Sequence, residues 1–586
     1  MTEYIVLMSA ECAASRQMQM VADHLGQAGW REAHCAEGLR IFKPNERALQ
    51  IIQLGRGVLI GDVFDADGVR ASPAAHLPLP ARPSLAESAA ALTSMIWGRY
   101  VAILRVPSGD AGVLRDPSGA LDCFSWSAGA IQVIASTLPP ALLKVAGPPT
   151  LQIDREAIAA FLFEPAALAT VSGLKGLCSV APGAFLALAS RQAVQVWRPG
   201  DFARRPPLGQ EGAAAAMRDA VDLCVRAHAS DGRTVIAELS GGLDSAIVAS
   251  ALARSPATVA RWVNFAVEDA AGDERRYAEA VGAHLGVPVT IVKKAVEAAR
   301  PEALAELQTG LRPSLIGQDE QYEKAMLGAC ADDGANAIVS GLGGDALFFQ
   351  MRTPYVLLDG LRRLGLRGLA PARLSGVGRW TRRSAWSLLR MMLTPARARR
   401  SGDAFGAPPW LMATTRAAPH PWLQDIGDLP PAKQIHIAAL TQMLLSYGAS
   451  RRGQVVDLVH PLLAQPLLEC CLAIPADLLV SGYRDRGLAR MAFAGRLPKL
   501  VSERRSKGEL SAHYARGFAL GRNEIVDDLA TGRLVAMGLI DPKRLRLAAD
   551  DAALARDGGQ MALLRAASIE AWVRHWDAMR ASVEPS

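Results

Sequence analysis

Two short segments have the residue types and spacing for phosphate chemistry. The first is Ser240-Gly241-Gly242-Leu243-Asp244-Ser245, which follows the apolar run Thr234-Val235-Ile236-Ala237-Glu238-Leu239 and precedes a helical stretch, Ala246–Ala253. A buried strand, a glycine-rich turn and a helix start aim backbone N–H groups and the positive end of a helix at one point, which suits an anion. Gly241 and Gly242 let the backbone approach that anion closely, and Ser240 and Ser245 add hydroxyl donors. Asp244 would repel a phosphate unless a cation lies between them, so it is read as a Mg²⁺ ligand. The second segment, Ser340-Gly341-Leu342-Gly343-Gly344-Asp345, follows Ala337-Ile338-Val339. In a parallel sheet both turns open at the carboxyl ends of the strands, where ligands bind, and Asp345 can share the metal with Asp244.

These segments need a scaffold, and the pattern around them supplies one. From about residue 212 onward, strand-like and helical stretches alternate: helix Gly212–Ala229, strand Thr234–Leu239, helix Ala246–Ala253, strand Arg261–Val267, an amphipathic helix Asp273–Leu285 ending at Gly286, and strand Ala337–Val339. Such alternation predicts an α/β fold with a parallel sheet covered by helices. Beyond about 350 the chain reads as mostly helical. Residues 1 to about 200 read instead as β-rich, with strands at Tyr4–Met8, Gly57–Val63, Trp97–Leu104 and Gly112–Gly119, and helices near Ala10–Ala28 and Asp154–Leu162. The Pro- and Gly-rich stretch Arg198–Gly209 is the expected linker, which divides the chain into residues 1–205 and 206–586.

The bulk properties fit a protein that handles anions. The net charge is +7 at pH 7 and the isoelectric point about 9.0, with arginine dense between Arg352 and Arg400. That arginine stretch is either a contact surface for an acidic peptide or partner, or a solvated helical face. Few aromatic residues and no RNA-binding module argue against a nucleic-acid surface. Eight cysteines include no CxxC pair and no zinc spacing, which fits a reducing cytoplasm. No secretion signal and no long apolar run are visible, so membrane insertion is not expected.

Taken together the motifs resemble the asparagine-synthetase superfamily. Ser240–Ser245 is similar to its pyrophosphate loop and Ser340–Phe348 to its second loop. Asp273–Ala278 with Leu285-Gly286, His460-Pro461-Leu462-Leu463, Arg490–Phe493 with Leu497-Pro498, and Arg504–Gly508 are similar to further segments. Gly98-Arg99-Tyr100, Arg115–Gly119 and Pro182-Gly183 resemble pieces of its N-terminal glutaminase-type domain. The resemblance implies an αββα N-terminal domain of the N-terminal-nucleophile type, followed by an adenine-nucleotide α-hydrolase-like synthetase domain. It implies binding of ATP and Mg²⁺, with Leu239, Ser240, Gly241, Gly242, Asp244, Ser245, Ser340 and Gly341 around the nucleotide. Asp244 and Asp345 would hold the metal, and Lys507 would be the catalytic lysine. Gly508 after Lys507 suits a tight turn that brings the chain close to a ligand.

Three departures shape the expected activity. Position 2 is Thr2, where a working glutaminase of this family exposes a cysteine, and the nearest cysteine is Cys12. Leu342 and Ala346 stand where asparagine synthetases carry Glu, and Leu342 also stands where β-lactam synthetases carry a Tyr. With Pro409-Trp410-Leu411 and the run at His460, these features resemble a lasso-peptide macrolactam synthetase, or lasso cyclase. Its substrate would be a precursor core peptide, with a leader peptidase or maturation protein of the same pathway as a further partner. Asparagine synthetase, β-lactam synthetase, a tRNA-modifying enzyme with a related loop, and a non-catalytic scaffold are the alternatives. His460 is a candidate base or a packed core histidine. Glu274 reads as a favourable charge at a helix start, and Tyr447 and Glu509 as minor polar contacts.

Overall fold

The computed structural model describes residues 3–9, 14–45, 48–230, 232–269, 272–392, 407–412, 418–505, 508, 511–550, 554 and 559–582. Thr2, Cys12, Lys507 and Glu509 lie outside them.

The central strands of the N-terminal third are near-continuous apolar runs, buried on both faces. Tyr4, Val6 and Met8 point into a core shared with Val58, Ile60, Val101 and Ile103 of a second sheet. Ile5 and Leu7 point the other way, onto Met18, Val21 and Leu25 of the helix Ala14–Gln27. Leu59, Val63, Tyr100 and Ala102 pack on Ala89 and Leu92 of the helix Leu85–Met95. The period of two along each strand thus builds four layers, helix–sheet–sheet–helix. The first sheet has six strands and the second seven, antiparallel in their central pairings.

The synthetase half is built on five parallel strands: β1 (Thr234–Glu238), β2 (Thr258–Val267), β3 (Val289–Lys294), β4 (Ala337–Val339) and β5 (Asp457–Val459), in the order β3-β2-β1-β4-β5. Helices α1 (Leu243–Leu252) and α2 (Arg275–Leu285) cover one face, where Val235 and Ala237 meet Ala246, Ile247 and Val281. Helix α3 (Glu320–Asp333) covers the other, where Ile236, Val263 and Ile338 meet Met326 and Cys330. Burial on both faces is the reason the strands read as continuous apolar runs. Strand β5 lies in the region expected to be helical, and β3 was not anticipated. β5 has three residues and β3 no fully buried face, so neither makes a strong periodic signal.

The expected linker is only partly a linker. Pro199–Ala203 forms a short helix with Pro199, Gly200 and Phe202 buried, and the Trp197 ring packs at a tilt against Trp422, 5.0 Å between centroids. Its Pro and Gly terminate and start elements inside a core, a use that composition does not distinguish from a free tether.

The two halves are joined by buried charge. Arg99 of the second sheet donates to Asp457 Oδ1 at 2.9 Å and to the Leu458 carbonyl at 3.0 Å, at the edge strand β5. Arg233 reaches the same Asp457 at 2.8 Å, and Asp62 pairs with Arg99, Arg233 and Arg70. Arg312 donates to Asp122 at 2.9 Å and to the Tyr447 carbonyl. Arg99→Ala leaves two carboxylates short of a cation in a poorly hydrated interface. The expected cost is roughly 3 kcal/mol, at the low end for breaking a buried pair because Arg233 remains. A lower urea midpoint at unchanged slope checks it. The pair holds Asp457 ionised well below the usual carboxylate range. A depressed folded pKa gives stability that is present above the unfolded value and lost as pH falls toward the folded one. The wild type is therefore expected to lose more stability than Arg99→Ala on acidification below about pH 4.

Candidate active site

Both glycine loops open into one cavity of about 730 Å³ at the carboxyl end of the parallel sheet. In the first loop Gly241 has φ +82° and lies against the Glu274 carbonyl. The hydroxyls of Ser240 and Ser245 hydrogen-bond each other at 2.9 Å, and Ser245 Oγ also accepts from the Ser240 N–H at 3.2 Å. Helix α1 then starts at Leu243, with Asp244 in its first turn. Ser240, Gly242, Asp244, Ser245, Ser340, Gly341 and Asp345 all line the cavity. Leu239 is buried beneath the loop, so a nucleotide meets its backbone at most.

The glycines of the second loop are explained by contact with the first. A Cβ on Gly341 would lie 2.5 Å from the Ser245 nitrogen, and one on Gly344 would lie 2.5 Å from the Asp244 carboxyl carbon. The loops therefore touch, and this brings Asp244 and Asp345 together across 101 residues of sequence. Both converge on one nitrogen, Arg486 Nη1, at 2.7 Å from Asp244 Oδ2 and 2.6 Å from Asp345 Oδ1. Two carboxylates that meet at one positive centre are a fitting donor set for Mg²⁺, which binds through one or two carboxylates and takes the rest of its shell from phosphates and water. Among the described residues no group of three or more His, Cys, Asp or Glu forms a metal cage, and a shell completed by phosphate needs none.

Arg486 was not singled out in the sequence. It takes a left-handed backbone, φ 51°, rare for a residue with a side chain, and sits 242 positions from Asp244. Strained backbone of this kind gathers at functional sites. Arg490 and Arg504 line the cavity as well, and its three arginines are matched there by Asp244, Asp345 and Glu274.

The remaining candidates take these places. Glu274 stands at the N-cap of its helix without a side-chain capping hydrogen bond, and its carboxylate accepts from Arg504 at 2.8 Å and from the Gly508 N–H at 2.6 Å. His460 is largely buried at the cavity wall: its Nδ1 lies 2.9 Å from Ser340 Oγ, and its ring lies 4.9 Å from Tyr447. Burial, with Arg452 and Arg99 nearby, pushes its pKa down to about 3, so it stays neutral and positions the second loop. Tyr447 is buried between His460 and the N-terminal sandwich and does not line the cavity. In the arginine stretch, Arg363 and Arg373 both pair with the buried Asp477, so part of that charge is structural. Trp410 and Leu411 are buried in the core shared with the N-terminal sheet.

A strand–glycine loop–helix cradle at the carboxyl edge of a parallel sheet, with paired aspartates and ion-paired arginines beside them, defines a nucleotide-dependent ligase-type site. The chain belongs to the asparagine synthase family, whose model matches residues 216–574; its members are ATP-dependent ligases. No curated protein sequence matches the chain. A solved structure described as the allosteric regulatory enzyme of purine biosynthesis is similar at 12% identity. It covers 51% of this chain and 82% of its own with a TM-score of 0.21, a likeness too slight to carry a fold argument. Among the described residues no helix is long and apolar enough to cross a membrane.

Proposed function

We propose that the protein is an ATP-dependent, AMP-forming lasso-peptide cyclase. It adenylates an Asp or Glu side chain of a precursor core peptide and joins that side chain to the peptide's own N-terminal amine. The observation that carries the ligase chemistry is the convergence of Asp244 and Asp345 beside the pyrophosphate loop. A carboxylate is a poor electrophile until an oxygen is converted into a good leaving group, and transfer of AMP does this with release of pyrophosphate. Bound Mg²⁺ would neutralise charge on the triphosphate. Asp244 and Asp345 would hold it, the loop amides and hydroxyls would bind phosphate oxygens, and Arg486, Arg490 and Arg504 would stabilise the departing pyrophosphate.

A peptide substrate is supported by the far side of the cavity. Away from the loops its wall becomes apolar, through Ala299, Leu304, Ile316, Phe518, Met561 and Leu564. This lining suits a substrate larger and less polar than a free amino acid. Ring closure by a flexible peptide loses much chain entropy, so a shaped apolar wall that holds the amine near the acyl carbon would supply a large part of the rate.

The test is carboxylate-dependent exchange of pyrophosphate into ATP across a panel: aspartate, glutamate, and synthetic peptides with a free N-terminus and an internal Asp or Glu. Exchange and dehydrated cyclic product with peptides alone are expected. Exchange with free aspartate and asparagine as product would replace this reading with asparagine synthesis. Thr2 in place of a nucleophilic cysteine makes glutamine an ineffective amine donor, so no ammonia release from glutamine above a blank is expected.

A further inference from the structure

At the loop end of the cavity Arg486, Arg490 and Arg504 lie among Asp244, Asp345 and Glu274. The opposite wall, between the ends of β1 and β3 and the start of α3, carries Glu238, Asp319 and Glu323 against Lys294 and Arg452. Lys294 pairs with Asp319, which also accepts from the Tyr514 hydroxyl at 3.1 Å. Arg452 pairs with the fully buried Glu323 at 2.6 Å. Glu238 is the carboxylate left over.

Its surroundings fix its hydrogen bonding. Arg452 Nη1 lies 2.9 Å from the Tyr322 hydroxyl, and an arginine can only donate. The Tyr322 hydroxyl therefore accepts from Arg452 and donates its own proton to Glu238 Oε2, at 2.9 Å. The Arg452 guanidinium also lies over the Tyr322 ring at 4.4 Å, and Phe265 packs on that ring at 4.6 Å, so the phenol is held in place. Glu238 ends strand β1 two residues before Ser240, which puts the two Cα atoms about 7 Å apart in extended chain. Its carboxylate keeps acceptor sites toward the cavity it lines. Burial raises its pKa, partly offset by Tyr322, Arg452 and Lys294, which favours a proton-accepting role.

We propose that Glu238, oriented by Tyr322 and Arg452, binds the ammonium group of the attacking amine and takes its proton as the amine reaches the activated acyl carbon. This rests on the ligase reading above. One proton passes from the ammonium to the Glu238 carboxylate. The freed nitrogen lone pair forms the C–N bond. The bond between the acyl carbon and the bridging oxygen breaks, and AMP leaves with that electron pair. The second proton lost from nitrogen departs to the AMP phosphate or to solvent, and Glu238 releases its own proton as product leaves. Glu238 is a catalytic residue in this scheme, and Tyr322 and Arg452 are positioning residues.

The experiment uses the full chain, with the peptide of the panel that supports exchange. Glu238→Gln keeps the size of the side chain and an acceptor for Tyr322. It is expected to hold pyrophosphate exchange and the KM for ATP within threefold of wild type, while amide formation falls by about a hundred- to ten-thousandfold. Hydroxylamine, uncharged at neutral pH, needs no base, so hydroxamate trapping should proceed within a few-fold of wild type. Tyr322→Phe should lower amide formation by about tenfold, less than loss of the base itself, again without changing exchange. Amide formation by Glu238→Gln within fivefold of wild type overturns the proposal. A rise in the KM for ATP with parallel loss of exchange also overturns it, by assigning Glu238 to the nucleotide. Wild-type protein that exchanges with no carboxylate refutes the ligase reading itself and this proposal with it.

Discussion

Asp345→Asn and Asp244→Asn are each expected to lower carboxylate-dependent pyrophosphate release by about a thousandfold, or roughly 4 kcal/mol of transition-state stabilisation. The two carboxylates converge on a single positive atom, at 2.7 and 2.6 Å from Arg486 Nη1. Replacing one of them by an amide halves the negative charge available to a divalent ion at the triphosphate, where the developing charge is largest. The fold should survive, because Arg486 keeps the other aspartate and also Asp485 at 3.1 Å. Unchanged urea unfolding alongside the lost activity is the expected pair of results. Raising Mg²⁺ should recover part of the rate in the more exposed Asp345 variant, since its side chain is 43% accessible against 13% for Asp244. Near-normal turnover of Asp345→Asn at ordinary Mg²⁺ would remove it from the metal site.

The second large effect is expected at Lys507, the residue similar in place to the superfamily's catalytic lysine. Lys507 lies outside the described residues, but its flanks do not. The Gly508 N–H and the Arg504 guanidinium both donate to Glu274 Oε1, at 2.6 and 2.8 Å, and Arg504 lies 3.7 Å over the Tyr277 ring. The Glu274 carbonyl in turn abuts Gly241 of the pyrophosphate loop. The segment on either side of Lys507 is thus tied to the loop that would hold the phosphates. An ammonium delivered there would stabilise negative charge on the acyl oxygen and phosphate as the amine attacks. Losing one such donor costs roughly 3–4 kcal/mol, about a hundred- to a thousandfold in rate. Lys507→Arg should not restore it, because a planar guanidinium does not replace a compact point charge. Single-turnover assays of Lys507→Ala and Lys507→Met test this; product formation within a few-fold of wild type in both would exclude Lys507 from the mechanism.

The N-terminal sandwich is also bound into the fold of the synthetase half. Its sheets share cores with the synthetase half, through Phe64 and Trp97 on one side and Ile5, Leu7 and Trp126 on the other. Arg99 ties it to the edge strand β5, beside which His460 positions the second loop. Removing it would expose a large apolar surface and a row of unpaired charges.

What the sequence determined by itself is local. Ser240–Ser245 and Ser340–Asp345 were legible because a strand end, close-approach glycines and a helix start occupy adjacent positions, and their geometry depends on neighbours only. The parallel sheet was legible in part, through continuous apolar runs alternating with helical stretches, while the four-layer sandwich was implied by the resemblance and not by any local pattern. Tertiary structure alone decided which distant charges meet. Arg486 reaches Asp244 across 242 positions, Tyr322 reaches Glu238 across 84, and Arg452 reaches Tyr322 across 130. It also tied Glu274 to Arg504 and Gly508, and set His460 between Ser340 and Tyr447 at the cavity wall. A charged side chain has the same appearance in the sequence whether water or a buried partner satisfies it. The choice depends on strand order, crossovers and depth of burial, which no local spacing records.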